Sequence, residues 1–501
     1  MWDACGFFPE EGIEVLRFMS LIKIGDYQEL LMHDQLRDLG REIVHEENRR
    51  EPRNRSRLWD SEEVKKVLKE NKGTRNIEAI DPSGGSSKGF GEIAKQDDNI
   101  YTGEQFKNLT SLRFLRMEEG AHLDGDFKDS MEELKWLRWP IRRMNFKIEE
   151  TAKKLKFLDL SFCKSLENTE FLSAFKNLEV LILNFCGELR QIDSSIGDMK
   201  DLVRLELRSH HRLTKLPEEI GKLKKLEQLR VEYTSNFSHY TGSIGSLRNL
   251  EILNIAYSGI EELLDEIGRP RNLRELHVCG CAKLGGKLPE SMGSLRNLEI
   301  LNIAESGVEG LPHGIGRSRN LRELHACGCA KLGGKLPESM GSLENLEILD
   351  ISGTGVEELP NGIGRPRKLR DLNASYCEYP KGEASESMCN LSSLQRLDFL
   401  GCESLQSPPD LPSNLTYLRV TCQSRKLPSL SHLTRLKELE VICGEFIECI
   451  QELPSTLLKN SECSQPTGVE ESELPQSQNT PFKLEILKFG GCESIEILDV
   501  S

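Results

Sequence analysis

Two short stretches bring soft metal ligands together: His277-Val278-Cys279-Gly280-Cys281 and His325-Ala326-Cys327-Gly328-Cys329. An imidazole and two thiols within five residues are the ligand types of a zinc centre, which needs four such groups at about 2.0–2.3 Å. Both stretches sit in the pattern L-x-x-L-x-L-x-x-C, which sorts their side chains onto opposite faces. Cys281 and Cys329 take the inward position, as do Cys163, Cys186, Cys402 and Cys492. His277 and Cys279 face outward, so each strand offers only two ligands. The matching pair lies two strands away, roughly 9–10 Å at about 4.8 Å per strand. One ion cannot span that gap. The expectation is buried structural thiols and no metal site.

The elements that position these residues are repeats. Residues 246–293 recur almost verbatim as 294–341, and L-x-x-L-x-L returns along most of the chain. Its first leucines run from Leu112 through Leu134, Leu155 and Leu178 to Leu436 at intervals of 21 to 25, and the last step, to Leu484, is 48. That period and signature define a leucine-rich repeat. In the unit 346–365, Leu349 and Ile351 point inward from a short strand while Ile348, Asp350 and Ser352 point outward. Val356, Leu359 and Ile363 close the same core, and Pro360 and Gly364 stop a long helix from forming. One unit alone leaves its apolar face wet, so neighbours must stack. The predicted class is α/β: a leucine-rich-repeat solenoid with a curved parallel sheet on its concave face, preceded by a partial winged-helix-like α-rich segment.

Other chemistry finds little support. No GxxxxGK[ST] loop, nucleophile elbow or HExxH occurs. Glu261-Glu262 and Glu357-Glu358 fall in repeat turns, as solvated carboxylates do. No enzyme activity is expected. A net charge of −15 argues against nucleic-acid binding. The start MWDACGFFPEEG lacks a basic region with an apolar run behind it, and no stretch is long enough to span a membrane. Fifteen cysteines without such a leader read as reduced thiols, hence a cytoplasmic or nuclear chain that does not engage a membrane.

The outward face is the remaining candidate. Arg and aromatic side chains are enriched where protein interfaces gain most of their energy. On that ground Trp136, Arg204, Arg208, Arg230, Glu232, Tyr417 and Arg419 are the candidate partner-binding residues, and Arg204, Arg208 and Arg230 are expected to form a positive strip. The duplicated copies share the outward triads Ile-Asn-Ala and Glu-His-Cys, so that stretch reads as a spacer.

The expected organisation is a winged-helix-like piece at 1–50, a linker and flank at 51–110, repeats at 111–450, a disordered Pro/Ser/Glu/Gln-rich insert at 451–480, and a truncated final repeat at 481–501. Residues 81–100 are rich in Gly and Ser and read as a loop. In the first piece, Leu36, Leu39, Ile43 and Val44 share one helix face with Asp34 as N-cap. The basic run 49–57 reads as a solvated connector touching an acidic neighbouring domain.

The segments CGFFPEEGIEVL, SLIKI, LLMHDQLRDLGREIV and SRLW, followed by LPEEIGKLKKL at 216–226 and LPNGIGRPRKL at 359–369, carry a family resemblance. They resemble plant intracellular disease-resistance receptors with a TIR domain, a nucleotide-binding switch and C-terminal leucine-rich repeats. Met32-His33-Asp34 stands at the family's MHD motif. The resemblance implies His33 as a phosphate-sensing contact to ADP and Asp34 as its neighbour. Without a P-loop only a vestige of that site is expected, with no cofactor here and ADP only in a full-length relative.

The function so implied is recognition of a protein, either a pathogen effector or a guarded host protein, and restraint of a nucleotide-binding module, its own or a relative's. The chain would then be a truncated receptor or an incomplete gene product. Two alternatives remain: a leucine-rich-repeat scaffold unrelated to immunity, and an ADP-binding switch if a P-loop lies upstream.

Overall fold

The computed structural model describes residues 9–24, 30–82, 100–117, 122–125, 131–139, 145–146, 153–377, 386–405, 411–422, 426–427, 429–443, 449–450, 486–490 and 496–497. The insert at 451–480, most of the Gly/Ser-rich stretch, Cys492 and most of the final repeat lie outside them. The chain divides into two compact units, Met1–Leu247 and Arg248–Ser501.

The first unit opens with α1 (Pro9–Phe18), an antiparallel pair β1 (Ile22–Ile24) and β2 (Leu30–Met32), and α2 (Asp34–Glu47). This is the expected helix, strand pair, helix. One detail differs: the N-cap of α2 is His33, whose Nδ1 accepts from the Gln35 backbone N–H at 3.3 Å. Asp34 is already helical and pairs with Arg37 at 2.7 Å. Of the predicted apolar face only Val44 is buried, while Leu39 and Ile43 are exposed.

A parallel ladder follows, and it begins earlier than the leucine pattern does. β3 (Arg57–Leu58) pairs with β4 (Ala79–Ile80), and β4 pairs with the strand Phe114–Arg116. Leu58 and Ile80 take the inward position and are fully buried. The first rung supplies one inward apolar residue and the second two, Ile77 and Ile80, instead of three, and α3 (Ser61–Lys69) fills the space behind with Val64, Val67 and Leu68. That substitution hides both rungs from a search for L-x-x-L-x-L. Both strands lie within 51–110, the stretch read as linker and N-terminal flank of the repeats.

The basic run is corrected at one residue, while Arg49 and Arg50 stay exposed as expected. Arg55 is buried, donating to the Asn48 carbonyl and, at 2.7 Å, to Glu63 on α3. It fastens α2's end to the first rungs instead of standing in water.

From Phe114 the ladder runs through Trp136–Arg138, Phe157–Asp159, Val180–Ile182, Arg204–Glu206 and Gln228–Arg230, always parallel and in register. Leu115, Leu137, Leu158, Leu181, Leu205 and Leu229 therefore stack as one buried column. Each burial contributes about 1.5–3 kcal/mol. The second unit repeats the arrangement from Ile252–Asn254 through Glu275–His277, Ile300–Asn302, Glu323–His325, Ile348–Asp350 and Asp371–Asn373 to Tyr417–Cys422 and Glu438–Cys443.

Opposite the strands stand short 3-10 turns, such as Glu218–Lys222 after the N-cap Pro217 and Asn361–Gly364 after Pro360. Their glycines permit close stacking: a Cβ on Gly221 would lie 2.8 Å from the Ser243 carbonyl oxygen. Among the described residues no helix is long and apolar enough to cross a membrane.

Candidate functional site

In the first unit the outward face opens with three aromatic rings. Phe114, Trp136 and Phe157 occupy the same register position on adjacent strands. Their rings stack at 4.0 Å and 9°, then at 4.7 Å and 10°. Trp136 is consequently buried between its neighbours, so the stack offers ring edges, not ring faces. Val180 continues the row half-buried, and Arg204 follows.

The next row is charged. Arg138 pairs with Asp159 at 3.1 Å. Arg204 grips the Glu206 carboxylate through Nε at 2.7 Å and through a second guanidinium nitrogen, while Asn184 donates to the other oxygen at 3.0 Å. Arg208 bridges to Glu232 at 3.3 Å, and Arg230 reaches the same oxygen at 3.5 Å. The expected positive strip is therefore interleaved with two buried carboxylates. Burial works to raise the Glu206 carboxyl, but Arg204, the Asn184 amide and Arg208 outweigh it and hold it below the usual range. The cluster is nonetheless under-bonded: the Nε atoms of Arg208 and Arg230 are buried and donate to no acceptor.

In the second unit Tyr417 and Arg419 are likewise engaged internally. The Arg396 guanidinium lies 3.9 Å from the centre of the Tyr417 ring. Arg419 donates to Glu440 at 2.7 Å and to Asp398 at 3.2 Å. Burial pushes the Tyr417 hydroxyl and the Asp398 carboxyl up.

The metal-type residues separate as the register requires. His277 turns its Nε2 to Glu275 at 3.2 Å, and His325 does the same with Glu323 at 3.1 Å. Cys281 faces inward and donates to the Ile255 carbonyl at 3.3 Å. Among the described residues no group of three His, Cys, Asp or Glu converges on a point.

The inward thiols form half of a pattern that spacing alone did not expose. In the second unit the position is filled in turn by Ser258, Cys281, Ser306, Cys329, Thr354 and Cys377, all buried. Each hydroxyl meets the next thiol: Ser258 with Cys281 and Ser306 with Cys329 at 3.5 Å, Thr354 with Cys377 at 3.4 Å. In the first unit the same position holds Cys186, His210 and Thr234. The His210 Nδ1 lies 2.8 Å from the Cys186 carbonyl oxygen, while its Nε2 is buried without a partner.

A second column also escaped the leucine pattern. The residue two places after each inward strand residue adopts a positive φ: Phe162, Phe185, Ser209 and Tyr233 in the first unit, Tyr257, Glu305 and Tyr376 in the second. Phe162 and Phe185 stack at 4.7 Å. The Tyr257 ring lies directly over Gly280, itself at φ +67. The signal lies in the aromatic, Gly or polar residue that follows L-x-L-x.

His33 and Asp34 are both exposed, and their contacts are with Gln35 and Arg37 of their own helix.

Residues 1–48 match the family model for the winged-helix domain of Roq1-like disease resistance proteins. Over 250 residues the chain is 28% identical to disease resistance protein RUN1 of Vitis rotundifolia, covering 40% of this chain and 18% of that protein. It is 28% identical over 228 residues to TMV resistance protein N of Nicotiana glutinosa, covering 41% and 19%. With disease resistance protein RPP2A of Arabidopsis thaliana the figures are 30% over 241 residues, 42% and 18%. The chain thus spans less than a fifth of the length of these relatives. Among solved structures, a leucine-rich-repeat protein of Leptospira interrogans superposes with a TM-score of 0.54 at 22% identity, covering 73% of this chain and 84% of that one. The crystal structure of PEPR1-AtPEP1 does so at 0.50 and 20%, covering 71% and 55%. Both likenesses establish the leucine-rich-repeat fold. The resemblance to plant disease-resistance proteins therefore holds for both the winged-helix segment and the repeats.

Proposed function

We propose, from a chain that resembles plant disease-resistance proteins in both its parts, that its repeats recognise a protein in the defence response. The partner is a pathogen effector or a host protein that an effector modifies. The observation carrying this is the open parallel face, whose inward column is uniform leucine while its outward residues change from strand to strand. Stability needs only the inward column, so the outward variety is free to serve recognition. The sequence of repeats would also restrain a nucleotide-binding module, the chain's own or that of a longer relative, in the cytoplasm or the nucleus. His33 and Asp34, at the tip of α2, would then be the remnant of that module's ADP contact.

The test is a split-luciferase screen of the full chain in leaf tissue, against pathogen effectors and the host proteins they modify. Co-expression with a full-length relative gives the second readout. Recovery of a partner, or suppression of the relative's cell-death response, is the expected result. A silent screen together with an unaltered cell-death response would sink the proposal.

A further inference from the structure

The first unit's face combines features that select one kind of occupant. It carries Arg116, Arg138, Arg204, Arg208 and Arg230 against four carboxylates, Asp81, Asp159, Glu206 and Glu232, on a chain whose net charge is −15. Asp159, Glu206 and Glu232 are buried, whereas Arg204, Arg208 and Arg230 are each partly exposed. The Arg208 and Arg230 guanidiniums share one Glu232 oxygen at 3.3 and 3.5 Å, a single long contact each, so neither is held as a bidentate fork. Guanidinium forks bind carboxylates in pairs of parallel hydrogen bonds, which Arg208 and Arg230 do not make here.

Beside the arginines lies a dry ridge. Phe157, Val180 and Arg204 hold one register position on three successive strands. Two strand steps separate the Phe157 ring from the Arg204 guanidinium row, roughly 9.6 Å at about 4.8 Å each. A segment in the polyproline II conformation has three residues per turn and rises about 3.1 Å per residue, so side chains three apart point the same way about 9.3 Å from one another. An apolar side chain seated on the Phe157–Val180 ridge therefore places the side chain three residues away over the arginines.

We infer that this face binds a peptide segment of its protein partner in the polyproline II conformation, with a large apolar residue three positions from an aspartate or glutamate. The inference rests on the protein-recognition reading above and adds the place and the chemistry. The apolar residue covers the exposed edges of the ring stack. The acid supplies acceptors to the partly exposed guanidiniums of Arg204, Arg208 and Arg230. A basic segment would meet the arginines' repulsion, and a wholly apolar one would strip water from them without replacing it.

Selection of a random twelve-residue peptide library on the immobilised full chain tests this. Enriched peptides should share an apolar residue and an acid at i and i+3. Changing that acid to its amide should weaken binding at least tenfold, a readout on the peptide side that leaves the protein's folding untouched. Arg204→Gln and Val180→Asp in the protein should each cause a similar loss, while Glu218→Gln in a 3-10 turn of the same unit, on the side opposite the strands, should not. Enrichment of basic peptides, of peptides without the spacing, or of peptides indifferent to both Arg204→Gln and Val180→Asp overturns the inference. So does failure to select any peptide. A full-length effector captured in spite of that failure leaves the broader reading standing, whereas peptides bound with no effector or host partner found would remove the broader reading alone.

Discussion

The thiol of Cys329 donates to the carbonyl oxygen of Ile303 at 2.9 Å, across 26 residues and one strand step, and meets the Ser306 hydroxyl at 3.5 Å. Cys281 makes the same pair of contacts with Ile255 and Ser258 in the other copy of the duplication. The 48-residue duplication therefore carries a complete hydroxyl–thiol pair, which identifies it as a two-strand structural unit.

Removing one whole unit should leave the ladder intact. Deletion of 294–341 joins Gly293 to Ser342 and sets Glu275–His277 beside Ile348–Asp350, with both Ser306 and Cys329 leaving together. The expected product is soluble and has unchanged circular dichroism per residue. Deletion of 294–320, which strands one partner of the pair, should lower the urea midpoint much further. Equal midpoints for the two deletions would refute the pairing.

Replacing Cys329 by alanine should cost about 1–2 kcal/mol in urea titration, the usual scale for a lost buried hydrogen bond with a small cavity. Cys329→Ser should recover most of that. Burial also pushes the Cys281, Cys329 and Cys377 thiols up, and Cys402 up to about 12. Iodoacetamide mapped by mass spectrometry on the native chain at pH 8 should modify exposed Cys389 well before any of these four.

His210 makes the first unit sensitive to acid. Burial depresses its imidazole below the ordinary 6.5. The unfolded chain then takes up a proton that the folded chain refuses, so stability falls as pH drops below about 6.5. His210→Cys restores the residue type found at Cys186 and removes that contribution. The variant's urea midpoint should change less than the wild type's between pH 7.5 and 5.5. Parallel curves would show that His210 does not titrate in this way.

Glu206 is gripped by Arg204 and lies 3.9 Å from Arg208, which it shares with Glu232. Glu206→Gln should destabilise by about 3 kcal/mol, since breaking a buried pair leaves uncompensated charge. The loss should shrink in the double variant with Arg204→Met. An additive double variant, measured by chemical denaturation, would show that the pair is not coupled.

Gly280 and Gly286 separate backbone strain from crowding. Both have positive φ, at +67 and +70, but only Gly280 lies beneath a ring, that of Tyr257. Alanine at Gly286 should cost roughly 1 kcal/mol, the price of a left-handed L-residue. Gly280→Ala should cost clearly more, and Tyr257→Ala should relieve the excess. Equal losses at both glycines would remove the ring from the account.

Much of this was legible one residue at a time. A period of 21 to 25 with leucine at fixed offsets can bury its apolar side only by stacking, so the sequence alone determined the parallel ladder, the inward column and the placement of Cys281 away from His277. The winged-helix segment was legible through its motifs and its alternating periods. Rungs at Leu58 and Ile80 were not, because a helix supplies their missing core residues and periodicity records only what a strand supplies itself. Asp34 gave way to His33 as N-cap because a cap depends on where the backbone leaves the helix, not on residue type alone. The arginine strip was misjudged for a related reason. Arg204, Arg208 and Arg230 do share a face, but their net effect depends on which side of each guanidinium Glu206 and Glu232 occupy, and that is set by strand register and side-chain direction. Likewise Ser258 and Cys281 are 23 residues apart and lie in different repeats, so only stacking turns them into a pair. Sequence determines what a local period can bury, whereas tertiary structure decides which charges and donors are left over once neighbouring repeats have met.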